Sequence, residues 1–298
     1  MPLPSPPPSS IIVDGCLYPA DAPVLRADDR GFLYGDGAFE TLRLMDGRPA
    51  HLERHLARLG STLAALGIAA PAPGRIAGEL AALVAANGLG EGEGAARVSV
   101  SRGAGAGPRP GEGRPTVVVS AGPLPARVVA RRAGARLRLV EGPARAVAGH
   151  KTLSYLPGVL ALGAVAPDEE PVWVAGEAVL EGATCNVFAW IDGRLCTPPA
   201  DGRLLPGVAR AVLCAAGAVE APIDRAALGR AEAVFITSAL LPVAPVVAID
   251  GVACRPGPPG LLARLRAALD PIAVTARPPD EAQSPPAGRR REHGEEER

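Results

Sequence analysis

Lysine is almost missing from this chain. Of its 31 formally basic side chains a single one, Lys151, is lysine, and the others are arginine. Arginine stays charged in proteins, whereas a buried lysine can lose its proton and attack a carbonyl carbon. The scarcity excludes lysine as the general surface cation and makes Lys151 a candidate Schiff-base former. Composition alone leaves open that one lysine persists without a role. Cysteine pairs are missing too: Cys16, Cys185, Cys196, Cys214 and Cys254 lie far apart, with no C-x-x-C. An odd count without metal-ligand spacing implies free thiols in a reducing cytoplasm and offers no metal site.

Neither sign of charge is in excess, with 31 acidic side chains against 31 basic. That balance gives no electrostatic reason to expect nucleic acid or an anionic membrane as partner. Long hydrophobic runs are absent as well. The longest uncharged stretch, Ala233 to Ile249, covers 17 residues and contains Thr237, Ser238, Pro242 and Pro245. A membrane helix takes about 20 mostly apolar residues. The opening MPLPSPPPSS has neither the basic nor the apolar segment of a signal peptide. A cytoplasmic protein is the expectation.

What is present suits a globular chain of 298 residues in two modest domains. Residues 1–10 form a Pro/Ser tail, and 277–298 form a charged tail with His293 and an RRR run; neither can bury a core. Strands are expected at Ile11–Val13, Glu40–Leu44, Val98–Ser101 and Val117–Ser120 from their β-branched residues and Gly or Pro borders. Leu52, Leu56, Leu59, Leu63 and Leu66 step by four and three, which predicts a helix over 51–66. A second helix is expected over Arg75–Ala86, closed by Asn87-Gly88. The run Ala121-Gly-Pro-Leu-Pro125 divides a smaller domain (11–121) from a larger one (126–276). In the latter, strands are expected at Leu137–Val140, Val172–Val174, Asn186–Trp190, Ala233–Thr237 and Val246–Ile249. Helices are expected after Pro157, from Val208 to Ala218 and over Gly260–Leu269.

The setting of Lys151 carries a resemblance. Residues 149–161 read GHKTLSYLPGVLA, 181–188 EGATCNVF, and 197–199 TPP followed by LLPGVAR at 204–210. Earlier come RGFLYGDGAFET at 30–41 and HLERHLARL at 51–59. In this order the segments resemble the class IV pyridoxal-phosphate enzymes: branched-chain aminotransferase, D-amino acid aminotransferase and 4-amino-4-deoxychorismate lyase. The resemblance covers residues 11–270 and implies an α+β, two-domain fold, pyridoxal 5'-phosphate as cofactor, and a homodimer.

It also implies roles. Lys151 is the aldimine lysine and proton shuttle, and Glu181 is the carboxylate beside the pyridine nitrogen. Arg58 holds the phosphate with the backbone N–H groups of Val208 and Ala209, at a helix N-terminus suited to anions; Ser238 lies beside the cofactor. Many relatives carry threonine at the position of Ala209. Tyr34 and Tyr155 stand near the substrate, and Arg102 and Arg109 are candidates for its carboxylate. His51 and His55 have a spacing that can hold a metal, but no third ligand accompanies them. Gly103-Ala-Gly-Ala-Gly107 is followed by Pro108-Arg-Pro110 rather than a helix, so it lacks the dinucleotide-binding context and reads as a loop beside a substrate pocket.

Lyase and transaminase begin from the same lysine, so local segments must choose between them. ITSALLPVAPV at 236–246 resembles the lyase pattern, and the turn Ser101-Arg-Gly103 after its strand suits it too. Ser238 and Ser154 stand where asparagines are common in relatives, and Leu156 where branched-chain enzymes have tyrosine. The expected activity is aminodeoxychorismate lyase. A D-amino acid or branched-chain aminotransferase using 2-oxoglutarate is the second expectation, and a non-catalytic relative the third.

Overall fold

The protein is described by a computed structural model that covers residues 10–111, 113–142 and 147–270. The expected tail 277–298 and residues 1–9 of the other lie outside these, and Ser10 already belongs to a strand.

In the first half, six strands form an antiparallel sheet. Their spatial order is Cys16–Pro19, Ser10–Val13, Thr116–Pro123, Glu93–Ser101, Gly37–Met45 and Arg48–Pro49. The helices Leu52–Leu66 and Pro73–Ala86 pack on one face of it. The leucine stripe does the work expected of it: Leu59 and Leu63 are buried against Leu42, Leu44, Val98 and Val119, while Leu52, Leu56 and Leu66 border the same core. Gly67 ends the first of these helices in the left-handed conformation (φ 64°), its N–H returning to the carbonyls of Leu63 and Ala64.

Thr116–Pro123 runs into the stretch 121–125 expected to divide the domains, and Ala126–Arg131 then forms a short helix ahead of the strand expected at Leu137, where no element was expected. Proline fits this strand end because Ser10–Val13 pairs only as far as Ser120, leaving Pro123 with one neighbouring strand and no donor to satisfy on the other side.

The second half holds a nine-stranded sheet. Six of its strands follow one another as Asn186–Ile191, Ala233–Thr237, Ala244–Ile249, Ala135–Glu141, Glu169–Ala175 and Ala178–Gly182. The last returns to the first through the pair Glu181–Asn186, closing the six into a ring. The parallel pair Ala135–Glu141 and Glu169–Ala175 needs a crossover, and the helix Leu156–Gly163 lies on it. Val172, Val174, Val187 and Ile236 fill the ring's core, while the helices Val208–Ala215 and Leu261–Ala268 cover Phe188 and Phe235 outside it. Among the described residues, no helix is long and apolar enough to cross a membrane.

Candidate active site

Lys151 sits where the two halves touch. The edge of Gly37–Met45 grips its backbone: the Phe39 N–H donates to the Lys151 carbonyl at 2.9 Å, and the Leu153 N–H donates to Gly37 at 2.8 Å. Gly37 permits this approach, since a Cβ there would strike the Val100 carbonyl and the Leu153 side chain. The Lys151 Nζ lies 4.4 Å from the centre of the Phe39 ring. The Arg97 guanidinium lies 3.7 Å from that ring, and Tyr155 meets it edge-on at 5.9 Å. Burial first, then the charges of Arg58 and Arg97, bring the Lys151 amine down to about 8 against the opposing charges of Glu40 and Glu181. An amine so tuned can act as nucleophile and base near neutral pH.

An anion site lies to one side of this amine. Arg58 donates to both oxygens of Glu40 at 2.7 Å and to the Pro206 carbonyl at 3.0 Å. His55 Nδ1 shares Glu40 at 2.7 Å, on a carboxylate with no exposed surface. Burial pushes the Glu40 carboxyl up, but the hydrogen bonds from Arg58 and His55 outweigh it and leave the group below its ordinary 4.5. Two of the five guanidinium N–H donors of Arg58 remain after these bonds. Beside it, the helix Val208–Ala215 starts at Gly207 with no side-chain cap, so its first N–H groups face the cavity at Val208 and Ala209. The buried Thr237 hydroxyl, also in the lining, has no hydrogen-bond partner among the described residues.

The E-G-x-x-x-N frame acquires a structural reason here. Glu181 accepts from the Leu205 N–H at 3.0 Å, and the Asn186 amide donates to the Leu205 carbonyl at 3.0 Å. The two residues that close the ring of strands therefore hold, from both sides, the turn that delivers the uncapped helix. Gly207 must be glycine, because a Cβ would run into the Asn186 side-chain oxygen.

Lys151, Arg58, Glu181, Val208, Ala209, Ser238 and Tyr155 all line one cavity of about 740 Å³, a size suited to a cofactor with its substrate. A primary amine, a buried carboxylate, and an arginine beside an uncapped helix with an orphaned hydroxyl match the three chemical ends of pyridoxal phosphate. The residues fit that group.

Three expected residues are not brought there. Arg102 is outside this cavity's lining: Asp36 takes its Nε at 2.8 Å and one Nη2 donor at 3.1 Å, and the carbonyls of Gly67 and Leu66 take two more, so four of its five donors are spent at the end of a helix. Arg109 is exposed outside this cavity, on a loop whose carbonyls at Gly107, Pro108 and Arg109 are held by the buried Arg30. Tyr34 is exposed and stacks on Arg30 instead.

Conversely, sequence reasoning passed over Glu40, Phe39, Thr237 and Arg97. Arg97 has a signal that could have found it. It alternates with the buried Ala96 and Val98 along its strand and so faces away from the helices, a face that reads as solvent but is the cavity wall. His55, weighed for a metal, turns to Glu40.

Comparison with known proteins agrees with this geometry. The model of the family described as amino-transferase class IV matches residues 37–249. A D-alanine aminotransferase of Listeria monocytogenes is 28% identical over 262 residues, 84% of this chain and 91% of that protein. A hypothetical aminotransferase of Mycobacterium tuberculosis, solved in a PLP-bound form, superposes with a TM-score of 0.79 at 29% identity, covering 90% of this chain and all of that one. The 4-amino-4-deoxychorismate lyase of Pseudomonas aeruginosa superposes with a TM-score of 0.73 at 32% identity, covering 87% of this chain and 97% of that one. With the amine, anion site and carboxylate in one cavity, these likenesses make the chain a member of the class IV aminotransferases, a pyridoxal-phosphate-dependent family.

Proposed function

We propose that the protein is an aminodeoxychorismate lyase, converting 4-amino-4-deoxychorismate to 4-aminobenzoate and pyruvate. The observation that carries this reading is the cavity wall made by Ile236–Leu241, the stretch whose sequence resembles the lyase pattern. A tight turn shapes that wall: the Ser238 N–H donates to the Leu241 carbonyl at 2.7 Å, and the Leu241 N–H to the Ser238 hydroxyl at 3.1 Å. Arg97 supports it as well, a pocket cation suited to a substrate that carries two carboxylates.

Pyridoxal phosphate, when bound, supplies an electrophilic carbon and a ring that accepts electrons. The remaining work falls to the chain. Arg58 and the N–H groups of Val208 and Ala209 hold the phosphate end, and Glu181 keeps a proton at the ring nitrogen. Lys151 takes the proton from the substrate carbon that bears nitrogen. The C–O bond to the enolpyruvyl group breaks, the six-membered ring becomes aromatic, and the departing enolpyruvate gains a proton to become pyruvate. Arg97 holds a substrate carboxylate beside the amine, and Tyr155, whose hydroxyl donates to the Ala183 carbonyl, packs on the same Phe39 ring and lines the cavity.

An aminotransferase is the second reading, favoured by the D-alanine aminotransferase relative and by the higher TM-score to the mycobacterial aminotransferase. A relative with a merely structural Lys151 is opposed by the lowered pKa of that amine. The reading includes a domain boundary between 121 and 126 with the site between the two parts, and a cytoplasmic setting for the free cysteines. It also includes a homodimer, supported by the exposed apolar side chains Phe32, Leu33, Leu156, Val159 and Leu160. The deciding assay incubates holoenzyme with aminodeoxychorismate and measures 4-aminobenzoate and pyruvate. Glutamate formed from 2-oxoglutarate and an amino acid, without those products, overturns the lyase in favour of the aminotransferase.

A further inference from the structure

The cationic side chains of the cavity differ in what holds them. Arg58 is taken by Glu40, and Arg131 by the fully buried Glu170 at 2.6 Å. Glu169, the acidic group in the same wall, is taken by Arg138 at 2.8 Å. Among the described residues, Arg97 and Arg127 alone of the lining arginines have no carboxylate partner. Arg97 donates only to the Ser99 hydroxyl and stacks on Phe39; Arg127 is exposed.

Their separation follows from the strand pairing. Arg97 pairs with Ser120, and the strand carrying Ser120 continues to Pro123 before the helix Ala126–Arg131 presents Arg127. Three strand residues at about 3.4 Å each carry the chain about 10 Å along the wall from the partner of Arg97 before it turns into the helix that bears Arg127. The apolar side chains of Val128, Leu162 and Pro167 line the same cavity. A ligand with a carboxylate at each end and a carbon skeleton between them finds in this cavity two cations without carboxylate partners and an apolar lining for the skeleton.

We propose that Arg127 is a second anion anchor, at the mouth of the cavity, which selects amine substrates bearing two carboxylates over those bearing one. The anchor rests on the proposed reading that the substrate reacts at Lys151, with Arg97 holding its inner carboxylate. Because Arg127 is exposed, its contribution is modest and screened by salt.

Calorimetric titration of the holoenzyme with unreactive ligands tests this without turnover. The probes are the α,ω-dicarboxylates from glutarate to pimelate and the monocarboxylates of the same carbon number. Dicarboxylates of the matching length should bind about three- to fivefold tighter than their monocarboxylate counterparts, and the preference should shrink in 0.5 M salt. Arg127→Gln should abolish the preference and leave monocarboxylate binding intact, Arg127→Lys should keep it, and Arg97→Gln should weaken both series. A preference unchanged in Arg127→Gln, or absent from the unsubstituted enzyme, overturns the anchor. If the preference behaves as expected while aminodeoxychorismate is not converted, the lyase reading fails and the anchor stands. If conversion occurs without the preference, the anchor alone fails.

Discussion

Removing the central lysine should stabilise the cofactor-free protein, and by an amount that depends on pH. Burial, with Arg58, lowers the Lys151 amine from its ordinary 10.5 to about 8. Below pH 8 the amine is protonated in both folded and unfolded chains, and the folded state bears the full cost of the enclosed charge. Between about 8 and 10.5 the unfolded chain binds more protons, so stability rises with pH, and above 10.5 the cost is gone. At about 1.36 kcal/mol per pH unit the gap is worth up to about 3 kcal/mol. The amine lines a cavity wide enough to admit solvent, whose screening would reduce the expected figure to about 1–2 kcal/mol. Lys151→Met removes the amine but keeps an unbranched side chain. Urea unfolding of both apoproteins at fixed pH from 7 to 10.5 gives the difference directly. The variant should gain most at pH 7 and converge on a constant offset near 10.5, that offset being the packing of methionine. A difference that is flat across the range would refute a lowered amine pKa. The capture of pyridoxal phosphate by the unsubstituted apoprotein should accelerate through the same midpoint near 8, since only the free amine attacks.

Glu40→Gln leaves Arg58 and His55 without their shared charge, so it should cost about 3–5 kcal/mol of stability and weaken cofactor binding, read by melting and by fluorescence titration. Arg102→Ala should cost less, about 1–3 kcal/mol of stability, because it releases the carbonyls of Leu66 and Gly67 while Asp36 keeps its ion pair with Arg30, with substrate KM unchanged. Arg97→Gln should do the opposite, raising KM with little change in unfolding. Gly207→Ala should weaken cofactor binding while the fold survives, because the added methyl pushes Asn186 off the Leu205 carbonyl; absorbance titration measures it.

Which parts of this protein a reader of the sequence can see depends on the distance between cooperating residues. The Leu52–Leu66 stripe is legible because a helix repeats its own period, and Leu59 and Leu63 need no distant partner to be recognised as core. Lys151 and the EGATCNVF frame are legible as motifs, yet their cause is hidden: Glu181 and Asn186 matter jointly because strand closure puts both on Leu205. Arg102 and Arg97 lie where their local sequence does not suggest for the same reason. Local sequence sets Arg102 in a turn before a glycine-rich loop, but Asp36 and the end of a helix packed on the same sheet take four of its five donors. Arg97 looks solvated because its strand alternates, and only the second half, brought against that face, turns solvent into a cavity. Glu40 falls between these cases. An acid inside an apolar strand signals a buried partner, and His55 and Arg58, three residues apart on one helix face, are the pair such an acid would need. The chemistry common to the family resides in segments that can be read one at a time. The cavity lies where two halves meet, and there a side chain's meaning is set by whether a distant partner has already taken its hydrogen bonds.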